Sequence, residues 1–211
     1  PETIPVASAV GAAEIAETSR TVLITPWSTN PKTTLDATTG KPKQFVFRAC
    51  FIDPFQGEVL AKFAFNDLKA RRAAVLKDIQ QDYSVGLTDS IVRNFTALGG
   101  QVLDPISYSS GDPDFRAVLT QIRSLKPDVI FAPGYYTEAA IIVRQARELG
   151  LNMPILGGDG WVGDALANGR EALRNTFISN HYSGDNPAPV VQNFVAAYRK
   201  KFGKEPDSII W

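Results

Sequence analysis

The sequence has very few of the side chains from which most catalytic and metal sites are built. Its 211 residues include one cysteine, Cys50, one histidine, His181, and one methionine. A single cysteine excludes an intrachain disulfide. Isolated histidine and cysteine residues also provide no clustered zinc ligands and no activated cysteine nucleophile. We therefore expect no metal, no cofactor and no enzymatic activity.

The chain also lacks an excess of charge and a long apolar run. It has 22 Lys and Arg residues against 22 Asp and Glu residues, which gives a net charge of zero. Nucleic-acid-binding proteins usually carry a basic patch, so we expect no nucleic-acid partner. No apolar stretch approaches the roughly 18 to 20 residues that a membrane-spanning helix needs. Hydrophobic residues make up 44% of the chain, which is typical of a globular protein with a sizeable core.

Strand and helix patterns alternate along most of the chain. Between residues 73 and 179 the sequence predicts five strands, and between them helices whose apolar residues recur at i, i+3, i+4 and i+7. This order is typical of a parallel sheet covered by helices on both faces, which is an α/β fold. Residues 1–49 supply only two strands and one helix, too little for an independent core.

Two polar segments of this pattern carry the main predictions. The apolar run at residues 154–156 ends in Gly157-Gly158-Asp159-Gly160, which places Asp159 at the carboxyl end of a buried strand, where ligands bind in open α/β sheets. Asp53-Pro54-Phe55-Gln56 predicts a helix start, with Asp53 as N-cap and Gln56 at N3. Val59, Phe63 and Leu68 are predicted to form the apolar face of that helix.

Several motifs, in order along the chain, resemble one protein family. They look like the type I periplasmic solute-binding proteins of the branched-chain amino-acid (Leu/Ile/Val) ABC transporter family. The motifs are Thr25-Pro26-Trp27-Ser28-Thr29-Asn30-Pro31, Phe47-Arg48-Ala49-Cys50-Phe51-Ile52-Asp53-Pro54-Phe55-Gln56-Gly57, Gly111-Asp112-Pro113-Asp114-Phe115, Pro133-Gly134-Tyr135-Tyr136-Thr137-Glu138 and Leu156-Gly157-Gly158-Asp159-Gly160.

The resemblance implies two lobes of doubly wound parallel sheet, with the ligand held in the cleft between them. On that plan the chain divides into a partial N-terminal lobe at residues 1–49, a complete C-terminal lobe at residues 50–180, and a return segment at residues 181–211. We expect a fragment of this kind to bind ligand weakly or not at all. The sheet edge left without its neighbouring strands is expected to promote self-association.

The resemblance also implies which residues hold the ligand. In the family the ligand carboxylate is bound at a helix start, here near Ser8, and by a loop that here contains Ser28 and Thr29. The backbone carbonyl of Trp27 matches the family's partner for the ligand ammonium group.

Three further positions match the opposite wall of the family's cleft. Tyr83 and Tyr135 match its aromatic residues, and Asp159 matches the acid that pairs with the ammonium group. The family usually has Glu at that place, and Asp is one methylene shorter. The resemblance gives no role to Trp27 and Trp161 beyond this, and their rings are either lids over the cleft or packing residues.

The resemblance therefore predicts a solute-binding component of an ABC importer, located in the periplasm or otherwise outside the cytoplasm. Its ligand would be an amino acid, aliphatic by analogy, and its protein partners would be the membrane permease subunits.

Two other functions remain open at this stage. The first is a ligand-sensing domain of a regulator or receptor for amides or amino acids, which can use the same fold. The second is a dinucleotide-binding dehydrogenase, because Gly158-Asp159-Gly160-Trp161-Val162-Gly163 fits the pattern G-x-G-x-x-G. Against the second, an acid inside the loop would repel a pyrophosphate.

Overall fold

A computed structural model of the protein describes residues 6–162 and 172–206. The chain separates into a larger compact unit, Pro1–Ser179, and a smaller one, Asn180–Trp211. Within the described ranges, none of the helices has the length and apolar character to cross a membrane.

A small parallel sheet follows the first helix of the larger unit. Helix α1 spans Val6–Ser19, and strands β1, Leu23–Thr25, and β2, Val46–Arg48, pair in parallel. Val46 and the partly buried Leu23 pack against the alanines of α1. Ile24 and Phe47 are paired on the opposite face of the sheet, where they are 63% and 50% exposed. This sheet is therefore covered on one face only by the described residues.

The main sheet contains the other strands, and each pair of neighbouring strands in it is parallel. Its strand order is β4-β3-β6-β7-β8, with β5 also paired to β3. The elements are helix α2, Asp53–Lys62; β3, Arg72–Asp78; α3, Asp82–Ala97; β4, Gln101–Val102; β5, Ile106–Tyr108; α4, Arg116–Leu125; β6, Val129–Phe131; α5, Tyr136–Glu148; β7, Ile155–Gly157; and β8, Thr176–Ile178.

Helices cover both faces of this sheet, because successive side chains of a strand point to opposite sides. On β3, Ala74 and Leu76 belong to a core cluster with residues of α4 and α5. Ala73 and Val75 belong to a second cluster with residues of α2 and α3. The predicted doubly wound arrangement is therefore present in the larger unit.

Some predicted boundaries were wrong. The sequence pattern predicts one strand at residues 102–106, but the structure has two short strands, β4 and β5, on either side of Asp104-Pro105. Proline cannot donate to a strand ladder, which explains the break. The helix predicted at residues 164–173 lies largely outside the described residues.

The buried face of α2 also differs from its prediction. Val59 is 41% exposed, whereas the buried stripe contains Asp53, Gln56, Gly57, Leu60 and Ala61. The apolar pattern missed this stripe because its first two positions are polar. After Lys62 the helix widens into a π-helical turn, Phe63–Asp67.

The smaller unit is built around helix α6, Pro189–Phe202. Val191 and Val195 of this helix pack with Tyr182, so the predicted amphipathic helix is present. It ends at Gly203, whose φ of 70° is left-handed, a conformation that suits glycine at a helix C-terminus.

Candidate ligand-binding site

The glycine turn after β7 packs closely against two other elements. A Cβ atom at Gly158 would overlap the Tyr83 hydroxyl and Oε1 of Gln56, and one at Gly160 would lie 2.6 Å from the carbonyl oxygen of Gly134. Glycine is therefore required here for close approach. The groups that approach the turn are the side chains of Gln56 in α2 and Tyr83 in α3 and the backbone carbonyl of Gly134.

Asp159 is buried at the start of this turn and bound by both elements. Its Oδ1 accepts hydrogen bonds from Gln56 Nε2 at 2.9 Å and from the Tyr83 hydroxyl at 2.7 Å. Its backbone N–H donates to Gln56 Oε1 at 3.0 Å. Ser179, beyond the end of β8, donates to the same Oε1 at 2.8 Å. The acid is thus held by α2 and α3, and Ser179 in turn holds Gln56 in place.

The two predicted aromatic wall residues lie together. Tyr83 is buried in the first turn of α3, and its ring centroid is 5.3 Å from that of the half-buried Tyr135, with 34° between the ring planes. Burial, and then the negative charge of Asp159, raise the pKa of Tyr83 well above its ordinary value. The hydroxyl therefore stays protonated, and it also accepts the N–H of Gly160 at 3.2 Å.

The loop after β1 carries the buried residues Ser28 and Thr29. Arg48, at the end of β2, donates to the carbonyl oxygens of Ser28 at 2.7 Å and Asn30 at 2.9 Å. The Ser28 hydroxyl is 2.7 Å from the Thr33 hydroxyl. These bonds fix the backbone of the loop, and they give Ser28 a positioning role within it.

The same loop is joined to the main sheet's helices. The Thr29 carbonyl accepts the N–H of Asp53 at 3.0 Å, and Asn30 Nδ2 donates to the carbonyl of Asp82 at 3.1 Å. The loop therefore lies against the N-termini of α2 and α3, the positive ends of two helix dipoles.

Asp53, whose backbone N–H binds the Thr29 carbonyl, is only 1% exposed. Neither of its carboxylate oxygens has a hydrogen-bond partner among the described residues. The pKa of Asp53 is raised to about 7, chiefly by burial. The Thr29 hydroxyl lowers this pKa, although it does not complete a hydrogen bond. The negative charge of Asp159 raises the pKa, and the positive charge of Arg48 lowers it. Both predicted ligand contacts thus act on the same carboxyl group.

The predicted capping role of Asp53 was wrong. Ile52 is the N-cap of α2, Asp53 is the first helical residue, and no side chain caps this terminus by a hydrogen bond. The spacing of Asp53 and Gln56 is also consistent with both side chains lying on one buried face of α2, because residues three apart share one face of a helix. Both polar side chains therefore face the site, and neither was predicted as a site residue.

The remaining predicted residues are less informative. Trp161 is buried in the core, and its Nε1 donates to the carbonyl of Ala132 at 2.9 Å, so it is a packing residue. Trp27 is half-buried beside the Ser28-Thr29 loop. The backbone of Ser8 is in α1, but its side chain lies outside the described residues. Within the described ranges, no group of three His, Cys, Asp or Glu side chains could hold a metal ion.

Comparison with known protein families gives one match over nearly the whole chain. Residues 4–210 match the model of the family described as periplasmic binding protein.

Curated relatives have related names. The chain is 35% identical over 160 residues to an amino acid binding protein of Pseudomonas aeruginosa, covering 76% of this chain and 41% of the relative. It is 32% identical to the Leu/Ile/Val-binding protein BraC3 of Rhizobium johnstonii, covering 82% of this chain and 46% of the relative. The chain therefore spans less than half the length of these two relatives.

A solved structure matches the fold closely. The crystal structure of a leucine binding protein, LivK, from Thermotoga maritima superimposes with a TM-score of 0.90 at 42% identity, covering 99% of this chain and 58% of that one. This similarity confirms the predicted fold class.

Proposed function

We propose that this chain, which belongs to the periplasmic binding protein family, is part of the solute-binding component of an ABC importer. Its ligand is an amino acid with an aliphatic side chain. The observation that carries this proposal is that the Thr29 loop and Asp159 both bind the first turn of α2, Thr29 through the N–H of Asp53 and Asp159 through the side chain of Gln56, beside the Tyr83–Tyr135 pair.

The chemistry of a free amino acid fits this arrangement. A carboxylate needs hydrogen-bond donors, which the Thr29 hydroxyl and the N-terminus of α3 would supply, and the positive dipole end of α2 also favours a negative charge. An ammonium group needs acceptors, preferably charged, and Asp159 provides one. The Tyr135 ring offers an apolar surface for an aliphatic side chain. Ser8, Trp27, Ser28 and Tyr83 complete the proposed set of ligand-binding residues.

The geometry of the glycine turn argues against the dehydrogenase alternative. In a dinucleotide-binding loop the glycines let the backbone approach a pyrophosphate. Here the space beside Gly157 is filled by the Trp161 ring, and that beside Gly158 by Tyr83 and Gln56. The buried Asp159 carboxylate would also repel a phosphate group.

The description of the family, periplasmic binding protein, supports a location outside the cytoplasm. We infer that the protein delivers its ligand to membrane permease subunits, which distinguish the closed form from the open form. We further infer that residues 1–49 belong to one lobe, residues 50–180 form the other, and residues 181–211 return towards the first.

Isothermal titration calorimetry of the full-length gene product against the common L-amino acids tests this function. We expect leucine, isoleucine and valine to bind most tightly. Asp159→Ala and Thr29→Ala should each weaken binding by about tenfold or more, because each removes a hydrogen-bonding partner of a charged ligand group. Asp114→Ala, at an exposed acid paired with Arg116, is the matched control. Unchanged affinity in both site variants would refute the proposal.

We also propose that the 211-residue chain associates with itself through the uncovered face of the small sheet. Ile24 and Phe47 lie side by side there, and parallel sheets are normally covered on both faces. Light scattering should show a mass that rises with concentration, and Ile24→Lys should reduce the rise. A constant monomer mass at high concentration would rule this out.

A further inference from the structure

Asp53 is a buried acid to which the proposed function assigns no contact with the ligand. It is 1% exposed, and neither carboxylate oxygen has a hydrogen-bond partner among the described residues. An unpaired carboxylate in such a place is strongly disfavoured unless it takes up a proton or receives a cation. Asp159 is equally buried, but two donors already bind its Oδ1.

The groups around Asp53 come from every element packed against it. The charges of Asp159 and Arg48 and the side chain of Thr29 act on its carboxyl, and its own charge acts on Tyr83 and Cys50; of these groups, only Arg48 is cationic. The Arg48 guanidinium donates to the carbonyls of Ser28 and Asn30. It therefore balances one negative charge at long range without bonding to Asp53.

The Asp53 carboxyl packs against α3 at Gly86. Gly86 in α3 has no side chain, and the position of a Cβ there would be 3.5 Å from Asp53 Oδ2 and 3.4 Å from Asn30 Nδ2. Asp53 thus lies against a glycine of α3. It is on the same buried stripe of α2 as Gln56. Gln56 in turn binds Asp159.

We propose that Asp53 is a second ligand-binding acid, which together with Asp159 receives the ammonium group of the ligand and loses its own proton as the ligand binds. This inference rests on the proposed function. The O–H bond of the carboxylic acid breaks, the proton passes to the solvent, and no electrons are exchanged. The proton that leaves Asp53 carries one positive charge, and the ligand's ammonium group brings one positive charge in its place. The charge of the site therefore changes only by that of the ligand's carboxylate.

The proposal predicts a ligand specificity as well as a proton release. A ligand must carry a cationic nitrogen to replace the proton, so N-acetyl-leucine should bind far more weakly than leucine. With a carboxyl that is half protonated near pH 7, binding at that pH should release roughly half a proton, and the affinity should rise roughly tenfold between pH 6 and pH 8.

The test is calorimetry of L-leucine binding to the full-length gene product in phosphate and in Tris buffers, whose ionisation enthalpies differ. In Asp53→Asn we expect no proton release, an affinity that is level between pH 6 and pH 8, and about tenfold weaker binding at pH 8. Glu58→Gln, which changes an acid on the same helix that pairs with Lys62, is the control and should behave as wild type.

The outcomes separate the two proposals. If L-leucine binds and Asp159→Ala abolishes binding, but Asp53→Asn keeps both the affinity and the proton release, the role of Asp53 is wrong and the function stands. If no amino acid binds to the wild type, the function fails and this inference fails with it. Circular dichroism melts of Asp53→Asn check that the variant is folded.

Discussion

The turn after β7 and the first turn of α2 each bury an aspartate, and the two differ in how the acid is satisfied. Asp159 is bound by Gln56 and Tyr83. Asp53, at the same level of burial, has no hydrogen-bond partner among the described residues. The first arrangement stabilises the fold by itself, whereas the second is stable only with a proton or a cation present. The comparison therefore distinguishes Asp159, which is part of the hydrogen-bonded framework of the candidate site, from Asp53, whose carboxyl has no hydrogen bond among the described residues.

The largest expected effect comes from removing the charge of Asp53. The pKa of this group is raised to about 7, against roughly 4 in the unfolded chain. Between these values the folded state binds the extra proton, so its contribution to the free energy of unfolding is present at low pH and is lost as the pH rises. The loss should total about 4 kcal/mol between pH 4 and pH 7 and then stop.

Asp53→Asn should lack this loss, so the variant should be more stable than wild type at pH 8, by up to that amount. Urea unfolding at a series of pH values measures the difference. Other carboxyl groups contribute equally to both proteins and cancel. A constant difference in the free energy of unfolding from pH 4 to pH 8 would mean that Asp53 is already satisfied, and that the two aspartates do not differ as described.

A smaller effect is expected at the turn that holds Asp159. Gly158 has an extended backbone with φ of −96°, which any residue can adopt, so replacing it tests packing alone. The methyl group of Gly158→Ala would overlap the Tyr83 hydroxyl and Gln56 Oε1, both of which are fixed by hydrogen bonds. We expect a loss of about 1–3 kcal/mol in the free energy of unfolding, together with weaker ligand binding.

Gly11→Ala is the matched control for that variant. Gly11 lies within α1 with open space around its Cβ position, so alanine should raise stability by about 0.5–1 kcal/mol. Denaturant unfolding at one pH compares the two. Equal effects of the same sign would contradict the close packing of the turn.

The sequence predicted the order and type of most elements well because apolar periodicity controls them. The helices on both faces of the main sheet and the buried strands β3, β6 and β7 follow from that pattern. It failed at α2, where Asp53 and Gln56 occupy buried positions that periodicity assigns to apolar residues. These polar residues lie on the buried stripe because they face the candidate site, and a pattern based on hydrophobicity cannot recognise them.

The site was predicted in part for a related reason. The resemblance pointed to Thr29, Tyr83, Tyr135 and Asp159, which the fold brings into one neighbourhood. It did not indicate that the Tyr83 hydroxyl binds Asp159, because that contact joins residues 76 positions apart in the chain. Nor could local sequence show that Asp53 is buried without a partner, since the burial results from packing by several distant segments.

The smallest effect that sharpens the comparison is the loss of one hydroxyl. Tyr83→Phe removes the donor to Asp159 Oδ1 and the acceptor for the Gly160 N–H, but it leaves the ring and the Gln56 bond in place. We expect the free energy of unfolding to fall by about 1–2 kcal/mol.

Tyr136→Phe, at the partly exposed start of α5, is the control and should change the free energy of unfolding by less than about 0.5 kcal/mol. A variant as stable as wild type would show that Asp159 does not depend on the Tyr83 hydroxyl, and the contrast between the two aspartates would then lose one of its two described hydrogen bonds.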